Sequence, residues 1–143
     1  MLYILDLLKA YMQWGRMKVG KEKVTEGGKK EGGYFMAYLL SYTRLPIDNI
    51  LYDPRLAYSM HLALSEDGKT YQALNHNSGV LFVKATDNED GSVTPWSLIN
   101  PVMFATEEGY GVLAKRIGSE GDEDPESMGK LLYFTTKDFL EYT

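Results

Sequence analysis

Residues 59–74 read SMHLALSEDGKTYQAL, and the reading of this stretch decides the fold. Tyr58, Met60, Leu62 and Leu64 alternate with Ser59, His61, Ala63 and Ser65, the period of a strand with one apolar face. Asp67-Gly68 marks a tight turn out of that strand, and residues 70–74 can pair back as a short outer strand. The signature Ser65-x-Asp67-x-x-x-Tyr71 returns at the end of the chain as Thr136-x-Asp138-x-x-x-Tyr142. Each copy follows an apolar, β-like run, residues 60–64 in one and 131–135 in the other. A unit that recurs after about seventy residues indicates a modular β architecture. Ser or Thr and Asp at a strand exit can bind nearby backbone N–H groups and so fix the turn. The aromatic four residues after the Asp then packs against a neighbouring sheet. Asp67 and Asp138 are therefore assigned to architecture and not to acid–base chemistry.

Upstream of this stretch, residues 34–44 (YFMAYLLSYTR) are apolar on both alternating faces, as in a strand buried on two sides. A long connection punctuated by Pro46 and Pro54 joins the two. Downstream, residues 80–84 form a brief strand and 86–92 a polar loop. A second unit begins near Trp96: residues 101–105, a turn at Glu107-Glu108-Gly109, residues 110–117, an acidic loop over 118–129, then strands 130–136 and 139–142. Four antiparallel strands in up-and-down order are the plan of one propeller blade. The first unit, 34–84, supplies the last three strands of such a blade, and nothing upstream of Tyr34 reads as its first. At the N-terminus, Leu2, Leu5, Leu8 and Met12 recur at helical spacing over residues 2–14. Residues 15–33 are Gly-rich and basic, the composition of a flexible linker. The expected architecture is thus all-β, about two blades of an incomplete β-propeller, with an N-terminal helix and linker over 1–33 and a β body over 34–143 (blade one 34–84, blade two 96–143).

Composition narrows the function classes. The 143 residues fit one domain. Residues 1–33 carry seven Lys/Arg against four Asp/Glu, and residues 34–143 carry eight against sixteen, so +3 is set against −8. An acidic body argues against nucleic-acid binding by phosphate neutralisation. Without cysteine there is no disulfide, thiolate metal site or Cys nucleophile. The two histidines, His61 and His76, have no carboxylate at ligand spacing, so no metal is expected. No phosphate-cradling glycine motif or nucleophile elbow is present, and no cofactor is expected. The apolar run at the N-terminus is interrupted by Asp6 and Lys9 and is too short to span a bilayer. It lacks a signal-peptide n-region and cleavage site. The expectation is a cytoplasmic chain with no membrane partner. Eleven tyrosines favour strands and also suit sugar-stacking surfaces, which makes a glycan a possible partner. An uncovered edge along residues 34–44 offers a route to a homo-oligomer or a partner chain.

Thr136-Lys137-Asp138-Phe139-Leu140-Glu141-Tyr142 and Ser65-Glu66-Asp67-Gly68-Lys69-Thr70-Tyr71 are similar to the blade ending Ser-x-Asp-Leu-x-x-Trp of glycoside hydrolase family 43 and related five-bladed propeller glycosidases, with Tyr in place of Trp. Residues 60–75 also resemble the opening blade of family members that run HLALSEDG…ALN. The resemblance covers about residues 34–143. It implies inverting hydrolysis of arabinose- or xylose-containing glycans, of the arabinofuranosidase or xylosidase type, by two carboxyl groups about 6.5–9.5 Å apart. The general base is expected in an Asp-Pro opening the innermost strand of a blade. The position that matches by context is Asn100-Pro101, where an amide stands and cannot accept a proton at neutral pH. Asp53-Pro54 is a literal Asp-Pro before a rim strand, and makes Asp53 the weaker candidate base. Trp96 and Asn100 are the candidate substrate-binding residues. Five blades need about 300 residues on the repeat logic of closed propellers. The chain is therefore read as an N-terminal portion of such an enzyme, inactive alone. The alternative is a non-catalytic carbohydrate-binding or assembly module.

Overall fold

A computed structural model describes residues 13–24, 30–46 and 54–143. They build mainly antiparallel sheet. Strands β1 (Gln13–Val24), β2 (Lys30–Tyr42), β3 (His61–Ser65) and β4 (Gln72–Ala73) lie side by side in chain order. A small hairpin of β5 (Thr86–Asp87) and β6 (Val93–Thr94) follows. The second larger sheet is β7 (Trp96–Ala105), β8 (Tyr110–Gly118) and β9 (Leu132–Thr136), again in chain order. Its edge is extended by a reciprocal backbone pair, Thr135 N to Thr143 O at 2.8 Å and Thr143 N to Thr135 O at 3.0 Å. The expected outermost strand over 139–142 is thus reduced to this one contact. Residues 80–84 likewise contribute only a bridge, Met60 to Leu81. No helix among the described residues is long and apolar enough to cross a membrane.

The largest correction lies before Tyr34. Of the expected linker over 15–33, residues 15–24 and 30–33 are strand: β1 pairs with β2 from Gln13↔Ser41 to Val24↔Lys30, and β2 runs across the expected boundary at 33/34. Backbone pairing satisfies N–H and C=O groups whatever the side chains, and lysines are common on the edge strand of a sheet, where they discourage further pairing. The first sheet therefore has a further strand at the edge where the sequence pattern shows none, and β2 is not an open edge. Of the expected helix over 2–14, residues 1–12 lie outside the described residues, while Gln13 and Trp14 open β1.

The sheets meet across one apolar core. Leu39, Met60 and Leu62 of the first unit and Leu98, Met103, Val112 and Ala114 of the second are buried together with Leu81. Leu64, Leu132, Phe134 and Tyr142 pack around them. Fully buried side chains of this size contribute about 1.5–3 kcal/mol each, so the join is where stability concentrates. The alternation over 58–65 holds, yet the second face is covered too: Ser59, His61, Ala63 and Ser65 are all buried. Burial lowers the pKa of His61, whose Nδ1 lies 3.0 Å from the Ser59 carbonyl.

The two signature turns are built alike. In the first, the Ser65 hydroxyl donates to Asp67 Oδ1 at 2.9 Å and accepts from Gly68 N at 2.8 Å. Asp67 Oδ1 also accepts from Lys69 N and Thr70 N, each at 2.8 Å. In the second, Thr136 Oγ1 accepts from Phe139 N at 2.9 Å, and Asp138 Oδ1 accepts from Leu140 N and Glu141 N at 2.9 and 3.2 Å. The residues that follow the two Asp take the left-handed conformation, Gly68 at φ 71° and Phe139 at φ 62°. A bulky residue is rarely found there. Phe139 is held by ring packing on Tyr110, with centroids 4.5 Å apart.

Candidate functional site

Asn100 sits at an irregularity in β7. Pairing with β8 shifts between Ile99 and Val102, and Asn100 takes φ 54°. Asn tolerates this left-handed geometry better than most residues, and a β-bulge re-aims the side chain it carries. Pro101 beside it is fully buried, and its carbonyl accepts a 2.9 Å hydrogen bond from the buried Ser41 hydroxyl of β2. The bulge is thereby pinned to the first sheet while Asn100 itself is exposed. It opens onto a groove of about 520 Å³ floored by Val102, Leu113 and Leu131 and rimmed by Lys115 and Lys130. No Asp or Glu among the described residues lines that groove. The described residues offer an amide, two ammonium groups and an apolar floor, which can bind a ligand, but no group that takes a proton from water.

Trp96, at the start of β7, faces a different depression. Its indole Nε1 donates to Thr86 Oγ1 at 2.8 Å, and the Arg116 guanidinium lies 4.0 Å from its ring centroid. Arg116 is in turn fixed by Asp124 Oδ2, from Nε at 2.9 Å and Nη2 at 2.7 Å, and by Ser127 Oγ at 2.8 Å. Ser127 also donates to Asp124 Oδ2. The edge of Trp96 joins Tyr58, Phe82 and Pro95 around a pocket of about 330 Å³, with Arg55 and Leu56 at its mouth. The two expected substrate-binding residues line different pockets, which share no lining residue among those described. Tyr58 and Phe82 were not singled out in the sequence. Tyr58 precedes β3 and Phe82 follows the Leu81 bridge, and neither position carries a motif.

Carboxylates gather elsewhere. A groove of about 580 Å³ between the β7–β8 turn and the C-terminal turn is lined by Glu107, Glu108, Asp138 and Glu141, with Tyr110 and Tyr133. Asp138 is committed to its turn: the N–H groups of Leu140 and Glu141 hold its pKa below the ordinary value, which suits an anion and weakens a base. Asp67 is held down to about 2 by the N–H groups of Thr70 and Lys69 and by the Ser65 hydroxyl. Tyr142 is pushed up to about 12 by burial, and its hydroxyl has no hydrogen-bond partner among the described residues. Asp53 lies outside the described residues. No group of three or more His, Cys, Asp or Glu positioned to hold a metal occurs among the described residues.

Compared with protein-family models, curated proteins and solved structures, the chain finds no match.

Proposed function

We propose that the chain is a two-blade portion of a propeller of the glycoside hydrolase family 43 type, derived from an arabinofuranosidase- or xylosidase-like architecture and unable to hydrolyse glycans alone. The observation that carries this reading is the repeated turn. Two antiparallel sheets in chain order end in the same hydrogen-bonded Ser/Thr-x-Asp device, and both place an aromatic residue four positions on. β1 supports it further by giving the first sheet a fourth strand. Asn100 stands at the irregularity inside the first strand of the second sheet, in a groove that no described Asp or Glu lines. Hydrolysis with inversion needs a base and an acid across the scissile bond, and neither is offered there. The purified chain is expected to leave aryl arabinofuranosides and xylosides intact. Turnover that is abolished by Asp53→Asn would overturn the reading.

The Tyr58–Phe82–Trp96 pocket favours a second reading, a non-catalytic carbohydrate-binding module. Aromatic faces bury the apolar side of a sugar ring, and Arg55 at the mouth can donate to hydroxyls. Titration of arabino- or xylo-oligosaccharides in a Trp14→Phe background reads Trp96 alone. Saturable quenching without turnover, lost in Phe82→Ala, supports this reading.

A further inference from the structure

We propose that the groove at Asn100 is a binding site for a small ring carrying one carboxylate, held by the Asn100 amide and by the ammonium groups of Lys115 and Lys130. The inference rests on neither reading above, since it needs no propeller and uses none of the residues around the Trp96 pocket.

The backbone at Asn100 is more strained than a bend in β7 requires. The register shifts between the Ile99–Lys115 and Val102–Leu113 pairs, and Asn100 takes φ 54°. Glycine adopts that conformation without steric penalty, and a bulge that only bent the strand would be served by one. Asn keeps an amide at the position instead. The fold holds it there: Pro101 is fully buried, and the Ser41 hydroxyl of β2 donates to its carbonyl at 2.9 Å. Left-handed residues other than glycine, fixed by surrounding structure, cluster where ligands are held. The Asn100 side chain has no hydrogen-bond partner among the described residues, which leaves its N–H and C=O groups available at the groove.

The two cations come from separate elements. Lys115 stands on β8 directly across from Ile99, the residue before Asn100. Lys130 follows Gly129, which takes a left-handed φ of 76°, and its backbone N–H donates to the Ser127 carbonyl at 2.9 Å. That turn is anchored below by Asp124, which is buried and binds both Ser127 and Arg116. Lys130 is therefore placed by the packed structure behind it. Residues 34–143 carry a net −8, so a groove edged by two lysines and by no described carboxylate stands out from its surroundings.

Charge and shape select the ligand. Lys130 has no carboxylate partner among the described residues, whereas Lys115 Nζ lies 2.7 Å from Glu123 Oε1. The charge of Asp124 is met by Arg116. Two ammonium groups against the Glu123 carboxylate leave one net positive charge, which matches a monoanion better than a phosphate. Val102 and Leu113, paired across β7 and β8, give an apolar floor that suits the face of a ring, with Leu131 beside them. The volume of about 520 Å³ lies in the range of small-molecule sites.

The test is titration of the 143-residue chain followed by nitrogen–proton NMR, reading the Asn100 side-chain amide and the backbone amides of Leu113 and Lys115. Glucuronate, benzoate, glucose and inorganic phosphate are added separately. Saturable shifts are expected with glucuronate, benzoate or both, and the pattern tells a sugar acid from an aromatic acid. Lys130→Gln should weaken binding about tenfold, the worth of one charge-assisted hydrogen bond. Glu123→Gln, which releases Lys115, should strengthen it about threefold. Asn100→Gly accepts the same backbone and removes only the amide, so urea unfolding should stay within the range of a surface substitution while binding weakens about fivefold. Silence at Asn100 with both ring carboxylates overturns the proposal. So does equal binding of glucose, tighter binding of phosphate, or full affinity in Lys130→Gln and Asn100→Gly. Neither hydrolysis nor Trp96 emission is read, so failure here leaves both earlier readings standing, and the reverse.

Discussion

Replacing Asp124 by alanine should loosen the whole frame around Trp96. The carboxylate is 7% exposed and accepts from Arg116 Nε, Arg116 Nη2 and the Ser127 hydroxyl. An ion pair between fully exposed side chains is worth about 0–1 kcal/mol, whereas stripping one partner from a fully buried pair costs about 3–5 kcal/mol. Arg116 keeps a quarter of its side chain in water and retains Ser127 and the Trp96 ring, so the expected loss is about 2–3 kcal/mol. For a chain of this size that lowers the thermal midpoint by about 10 °C. Urea unfolding followed by circular dichroism gives the free energy. Trp96 emission, read in Trp14→Phe, reports whether the guanidinium has left the ring. The neighbouring pair Lys115–Glu123 is the control. Glu123 is 83% exposed, so Glu123→Gln should cause no measurable loss although its 2.7 Å contact is as short. A cycle with Arg116→Met isolates the pairwise part, expected at about 1.5–2.5 kcal/mol. A change below about 0.5 kcal/mol for Asp124→Ala, the range of an ordinary surface substitution, with unaltered Trp96 emission, refutes the reasoning.

Acid stability should carry the mark of the first turn. Asp67 is held at about 2 in the fold against an ordinary value of 3.8, so its contribution is complete above about pH 4 and is withdrawn as pH falls through 2. Asp67→Asn should flatten that part of an acid unfolding curve and leave the curve above pH 5 parallel to the parent. Gly68→Ala meets both a left-handed φ of 71° and the Tyr38 ring at 3.2 Å. A loss of about 1–2 kcal/mol in urea unfolding is expected, and no loss would show that the turn relaxes.

The strands that carry the core were legible because their side chains alternate, and the two turns because Ser/Thr and Asp recur at one spacing. β1 was not legible. Its Gly and Lys residues resemble a linker by composition, and only pairing with β2, whose sequence carries no motif for it, makes them a strand. The burial of His61 and Ser65 was hidden for a related reason: a polar residue on a strand reads as solvent-facing unless its partners are known. At the candidate site, Asn100-Pro101 reads as a strand opening, whereas β7 begins at Trp96 and holds Asn100 in its middle. The bulge that re-aims it depends on a register shift between the Ile99–Lys115 and Val102–Leu113 pairs, and no local pattern announces that. Trp96 was visible as a residue but not as a member of a pocket, since Tyr58 and Phe82 reach it from distant positions in the chain.

The paired turns differ in when they can form. Gly68 adopts its left-handed backbone at no steric cost, so the first turn can close from local hydrogen bonds while the rest of the chain is still unfolded. Phe139 reaches the same geometry against its own preference and depends on Tyr110, nearly thirty residues earlier, to hold it. The C-terminal turn is therefore expected to close late, once the β8–β9 ladder has brought that ring into place. On that expectation a single architectural device would serve as a folding start in one unit and as a seal on finished packing in the other.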